Sequence, residues 1–314
     1  MRDIAFLFPG QGAQYPGMGK DFYETFPIAR ETFEEADDLL AFHLSQMIFD
    51  GSEALLTQTR HSQVAIFVNS VAILRTLQQQ LPDLKSAVCA GLSLGEYTAL
   101  FASERISFAD CLFLVRLRGE LLSEACEKTK GSMSAVLGLS ADEVEKIIIS
   151  LNPPHPVWVA NFNCPGQTVI SGACDGVAAA AEVLKSKGAK RIIPLQVHGA
   201  FHSGLMQSAE EKLAPAFAQA NIRDSGIGFV MNVPGGYVDG VAEVKKNLKS
   251  QVTHSVRWEQ GVRAMMQRNV ALYIEIGCSK TLAGMNKKIG MSEPTISIDK
   301  ITDLDEIARQ PVAF

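Results

Sequence analysis

Two apolar rhythms alternate along the chain. Ile4-Ala5-Phe6-Leu7-Phe8 is an unbroken apolar run closed by Pro9-Gly10, which predicts a buried strand of a parallel sheet. A glycine-rich loop follows, then helical spacing from about Asp21 to Leu44. Gln63 to Gln79 carries Val64, Phe67, Val68, Val71 and Leu74 at helical spacing, and Pro82 closes it. Ala87 to Ala90 is a second short apolar run that meets Gly91-Leu92-Ser93-Leu94-Gly95, after which Glu96 to Phe101 reads as helix. Strands alternating with helices predict an α/β sheet.

From Gly131 to Leu195 the rhythm changes. Ser132–Gly138 predicts a strand and Ala141–Leu151 a helix. Val157–Phe162 and Gln167–Ser171 predict two strands about the turn Pro165-Gly166. Gly176–Gly188 predicts a helix and Arg191–Leu195 a last strand. The order β-α-β-β-α-β is the ferredoxin-like pattern. It predicts a small domain at 131–196 inserted into a larger one formed by 1–130 and 197–314; the competing reading continues the main sheet through this segment. After it the α/β rhythm returns, with a strand at Ala271–Ile276.

A chain of 314 residues can bury a large core in one or two domains. Its 47% hydrophobic and 20% charged residues are globular values. A formal charge of -5 argues against nucleic acid as a partner. The six cysteines, none in a C-x-x-C pair, read as reduced thiols of a cytoplasmic protein. No signal peptide is expected, because Ile4–Phe8 already reads as strand, and no apolar run is long enough for a membrane span.

Gly91-Leu92-Ser93-Leu94-Gly95 is the one G-x-S-x-G. Between a strand and a helix, that pattern makes a sharp turn that pushes a serine oxygen out of the sheet. The following helix offers N–H groups and partial positive charge to a developing oxyanion. Ser93 is therefore the candidate nucleophile. It needs a base. His202 leads, on a loop just beyond the strand at Arg191–Leu195, and His198 stands second. Their i, i+4 spacing suits zinc poorly, with Gly199 between them and no third ligand nearby, so no metal is expected. The loop after the first strand fits neither nucleotide motif. The third glycine of G-x-G-x-x-G falls at Tyr15, and a P-loop ending at Gly19-Lys20 would need glycine at Gln14 and Ser or Thr at Asp21.

Six segments in one order carry a resemblance. They are Phe8-Pro9-Gly10-Gln11-Gly12, Gly91-Leu92-Ser93-Leu94-Gly95-Glu96-Tyr97, Arg116-Leu117-Arg118-Gly119, Asn161-Phe162-Asn163-Cys164-Pro165-Gly166-Gln167, Gly199-Ala200-Phe201-His202-Ser203 and Val256-Arg257-Trp258. From Ile4 to about Ile289 the chain resembles the malonyl-CoA:acyl carrier protein transacylases of fatty acid synthesis. The resemblance implies an α/β-hydrolase-like core with a parallel sheet and an inserted ferredoxin-like domain. It implies Ser93 as nucleophile and His202 as general base. Arg118 would bind the malonyl carboxylate. The backbone N–H groups of Gln11 and Leu94 would form the oxyanion hole, and the main-chain carbonyl of Gln251 would orient His202. Gln63 and Asn163 would line the pocket, and Phe201 would crowd an α-methyl branch.

The resemblance further implies a ping-pong transfer without metal or redox cofactor, between coenzyme A and the phosphopantetheine thiol of an acidic acyl carrier protein. A monomer is expected. Lys185, Lys187, Lys190 and Arg191 are candidates for a basic docking rim, although a solvated helix face is the simpler reading of them. Leu92 departs from the family, which usually has His before the nucleophile. By residue pattern alone Arg118 could instead pair with Glu120 or Glu124 on a helix surface. A serine esterase or thioesterase shares the elbow but places an acid between Ser and His, where Asp110 and Asp175 are the candidates. A non-catalytic acyl-binding module is the remaining reading.

Overall fold

The computed structural model describes residues 3–151, 156–197 and 199–309. Its ten strands are β1 (Ile4–Phe8), β2 (Val88–Gly91), β3 (Gly131–Leu137), β4 (Val157–Cys164), β5 (Gln167–Ala173), β6 (Arg191–Pro194), β7 (Gly228–Met231), β8 (Gly236–Tyr237), β9 (Leu272–Ile276) and β10 (Thr295–Ile298). They form two sheets, a six-stranded one in the order β10-β9-β1-β2-β7-β8 and a four-stranded one in the order β4-β5-β3-β6.

In the six-stranded sheet every pairing is parallel except β7–β8. Its strands are apolar on both faces because helices cover both. Ile4, Phe6 and Phe8 of β1 enter one core, while Ala5 and Leu7 enter the other. The larger core centres on the helix Thr59–Gln80. The sequence marks one apolar stripe there, yet Val64 through Leu74 are buried all round. Neighbouring helices explain this: Phe67 stacks on Phe108 at 5.6 Å, from the helix Phe108–Lys128.

The second sheet forms at the predicted segment, and its boundaries move by at most two residues. It does not continue the main sheet. Its strands pair antiparallel, in registers such as Ser134↔Ile170 and Ala135↔Ile193. The helices Ala141–Ser150 and Cys174–Ser186 cover one face over Val136, Val144, Ile170, Val177 and Leu184. The other face sends Met133, Ala135 and Val169 into the main core. Backbone hydrogen bonds around Val256 stitch β4 to the large part, with Phe162 N–H donating to Val256 and Val256 N–H to Ala160. Strands β7, β8 and β10 lie outside the sequence prediction. They are short, and only their neighbours in the sheet make them strands.

Candidate active site

The elbow forms where β2 runs into the helix Gly95–Ala102, and its glycines are required by close approach. A Cβ on Gly91 would lie 2.0 Å from the Gly95 backbone, and one on Gly95 would lie 2.1 Å from the Phe8 carbonyl oxygen. Gly10 abuts the elbow as well, since its Cβ would meet the Leu92 carbonyl at 2.4 Å. The loop after β1 is thus pressed onto the turn that holds Ser93. Ser93 itself has φ 53°, left-handed backbone that a non-glycine residue adopts only when its surroundings compel it.

Two partners supply that compulsion. Ser93 N–H donates to Asn232 Oδ1 at 2.7 Å, and the Ser93 carbonyl accepts from Gln251 Nε2 at 2.8 Å. The side-chain oxygen points at His202, with Oγ to Nε2 at 2.8 Å. His202 has φ 58° and is buried. Its Nδ1 lies 2.8 Å from the Gln251 carbonyl and 3.2 Å from the His254 carbonyl. Carbonyls only accept, so Nδ1 carries the proton and Nε2 is left to accept from Ser93. Among the described residues no carboxylate meets this nitrogen. Asp110 is instead bonded to Ser107 at its own helix start, 2.8 Å away. Burial first, and the Arg118 charge second, push the imidazole down to about 4, which keeps it unprotonated at neutral pH with Nε2 free to accept.

Arg118 does not lie on a helix surface. It is 2% exposed, while Arg116 pairs with Glu120, and Glu124 takes Lys128 and Lys212. Arg118 Nη1 donates to Gln63 Oε1 at 2.7 Å. Nη2 donates to Gln251 Oε1 at 2.9 Å and to Ser93 Oγ at 3.1 Å. The guanidinium also sits over the Tyr97 ring, 5.3 Å from its centroid. All these partners are neutral, and among the described residues no carboxylate forms an ion pair with it. A buried cation beside the Ser93 hydroxyl, with no direct ion pair of its own, suits an incoming anion.

Gln11, Gln63, Ser93, Arg118, Asn163, Phe201 and His202 line one pocket. Leu94 and Gln251 stand behind its wall. Leu94 is fully buried at the start of the helix, where only its backbone can serve, and Gln251 acts from the rear. Across the pocket, Met133, Ala135 and Val169 of the four-stranded sheet and Leu282 and Met285 of the helix Thr281–Ile289 add an apolar wall. Glu275 fixes that helix by accepting from the N–H groups of Leu282 and Ala283 at 2.8 and 3.0 Å. Asn163 Oδ1 is buried with no partner. His198 lies outside the described residues, and among those described no group of three or more His, Cys, Asp or Glu converges as a metal site. Of the basic rim, Lys185 is paired with Glu182 at 2.7 Å. No described helix is long and apolar enough to cross a membrane.

Nothing in the sequence pattern marks Asn232, and Glu96 stands out there only as part of the elbow motif. Asn232 holds the Ser93 amide and donates to the Gly91 carbonyl at 2.7 Å, but it lies 139 residues beyond the serine and carries no local signal. Glu96 is wholly buried below the elbow. Burial raises its carboxyl, while the N–H groups of Asn232 and Gln251 and the Arg118 charge pull it back toward the ionised form that two donors require.

Comparison with known proteins agrees with this geometry. Residues 5–297 match the acyl transferase domain family. The malonyl CoA-acyl carrier protein transacylase of Bacillus subtilis is 41% identical, over 95% of this chain and 94% of its own length. The solved acyl-carrier-protein S-malonyltransferase of Burkholderia pseudomallei superposes with a TM-score of 0.94 at 36% identity, covering 98% of this chain and all of the other. A malonyl-transacylase solved in complex with a type II PKS acyl-carrier protein superposes at 0.93 and 33% identity, covering 96% of this chain and 98% of that one.

Proposed function

The chain belongs to the malonyl CoA-acyl carrier protein transacylases of the acyl transferase domain family, and on that premise we propose that it moves malonyl from coenzyme A to the phosphopantetheine thiol of an acyl carrier protein through an ester on Ser93. The observation that carries this reading is Arg118. It is a buried cation 3.1 Å from the nucleophile with neutral partners only. A malonyl group brings a carboxylate that a guanidinium grips by two parallel hydrogen bonds. An acetyl group leaves the charge unpaired.

The reaction runs in two halves. Ser93 Oγ attacks the thioester carbon as its proton passes to His202 Nε2. The C–S bond breaks, and coenzyme A leaves with that proton. The carrier thiol then gives its proton to His202 and attacks the ester carbon; the C–O bond breaks and Ser93 recovers the proton. The backbone N–H groups of Gln11 and Leu94 receive the oxyanion of each intermediate. This assignment is supported by the Gly10 contact that presses the loop onto the elbow and by the place of Leu94 at the helix start. Gln251 orients the base through its carbonyl, Gln63 and Asn163 line the pocket, and Phe201 disfavours an α-methyl branch. The cycle as proposed needs no resident metal or redox cofactor.

We read the six-stranded part, 1–130 and 197–314, as an α/β-hydrolase-like core. The elbow between β2 and its helix supports that. We read 131–196 as ferredoxin-like, supported by the order β4-β5-β3-β6 and its antiparallel pairing. A cytoplasmic monomer is the working assignment. The test is intact mass and peptide mapping after malonyl-CoA, then after carrier protein. The expected result is an adduct on Ser93 that the carrier thiol removes. An adduct on another residue, or none during turnover, refutes it.

A further inference from the structure

Glu96 is the one fully buried carboxylate at the elbow to which the transfer chemistry assigns no role. It lies one residue into the helix that begins at Gly95. Its Oε1 accepts the Asn232 backbone N–H at 2.6 Å, and its Oε2 accepts Gln251 Nε2 at 2.5 Å. Those two residues come from separate segments, one after β7 and one at the end of the helix Val241–Ser250. They are also the two that grip Ser93, Asn232 by the amide and Gln251 by the carbonyl.

The amide of Gln251 could turn either way round. Its Nε2 has two acceptors to satisfy, Glu96 and the Ser93 carbonyl, and its Oε1 faces the Arg118 donor. An acceptor at position 96 fixes that orientation. The same residue presents the main-chain carbonyl that sets the His202 tautomer. We propose that Glu96 is a positioning residue for the transfer: one carboxylate ties Asn232 to Gln251, and through them it holds the left-handed Ser93, the base and the Arg118 side chain in one register. This rests on the Ser93 ester reading.

The geometry states why glutamine cannot substitute. Both partners of Glu96 are donors, and the Asn232 partner is backbone and cannot turn over. A carboxylate offers two acceptors. An amide offers one, so Glu96→Gln sets a donor against a donor whichever way it lies.

The experiment compares Ser93 loading by malonyl-CoA in the wild type and Glu96→Gln, followed by quenched intact mass. Fold is checked alongside by circular dichroism and thermal midpoint. The expected result is a saturating loading rate lowered about 100-fold in folded protein, with KM within about threefold, as for a small misplacement of reacting groups. A rate within about threefold of wild type overturns the proposal, and so does a loss that only tracks the unfolded fraction. If Glu96→Gln does not fold, Asn232→Ala breaks the same chain one link nearer Ser93; an unchanged saturating rate there overturns the proposal too. A wild type that takes no adduct on Ser93 refutes the ester reading and this proposal together. Normal loading by both wild type and variant refutes this proposal alone.

Discussion

Two regions face each other across the pocket. Behind Ser93 the protein buries Glu96, Arg118, Asn232 and Gln251 in one hydrogen-bonded group and holds Ser93 and His202 in left-handed backbone. Opposite, the four-stranded sheet closes on Val136, Val144, Ile170 and Leu184. Between residues 131 and 194 every described positive φ falls on glycine. The first region spends stability on placing charge and strained backbone at the Ser93 oxygen, the proposed nucleophile. The second is ordinary packing that presents Asn163 and an apolar wall. The difference teaches where substitutions should damage chemistry and where they should damage only folding.

The sharpest break is at His202, the proposed base. His202→Ala should lower transfer by about 10⁴-fold, measured by single-turnover loading, since no other described side chain lies in hydrogen-bond reach to take the Ser93 proton. Arg118→Ala should come next. The preference for malonyl over acetyl thioesters should shrink by about 100-fold, read from the ratio of kcat/KM values. An unchanged ratio removes the carboxylate role.

The four-stranded sheet should answer differently. Ile170→Ala should cost about 3 kcal/mol of stability in denaturant titration, because the side chain is fully buried, while loading per folded molecule stays within about threefold. A collapse of loading in folded Ile170→Ala would erase the distinction between the regions.

The pH profile of kcat/KM should sharpen it. The imidazole is held down from 6.5 to about 4 by burial and by Arg118, so the neutral base persists below pH 6. The acid limb should therefore fall near pH 4 rather than 6.5. The stability linkage has the same sign. The unfolded His202 takes its proton at about 6.5 and the folded one only near 4, so this group lowers stability as pH falls through that window. The smallest effect is expected at Asn163→Ala. Removing one neutral acceptor should raise KM for malonyl-CoA severalfold, about 1 kcal/mol, with kcat little changed.

The sequence was informative wherever the cause was local. Ile4–Phe8 and the strands and helices of residues 131–196 were legible because strand period, helix period and turn residues sit within a few positions of one another. The elbow was legible because its glycines and serine are contiguous. Strand β10 and the pair β7–β8 were not, since a four-residue run becomes a strand only beside a neighbour.

The chain by itself thus determined the alternation of elements, the turn that exposes Ser93, and the residues that resemble a known transacylase. Tertiary structure alone decided the rest. It turned Arg118 from a possible surface ion pair into a buried cation hydrogen-bonded to neutral side chains, and it brought Asn232 and Gln251 to the two ends of one serine. The physical reason is range. Backbone conformation and periodicity act over a few residues, whereas desolvation and hydrogen bonding between segments 139 and 158 residues apart exist only once the sheet has closed.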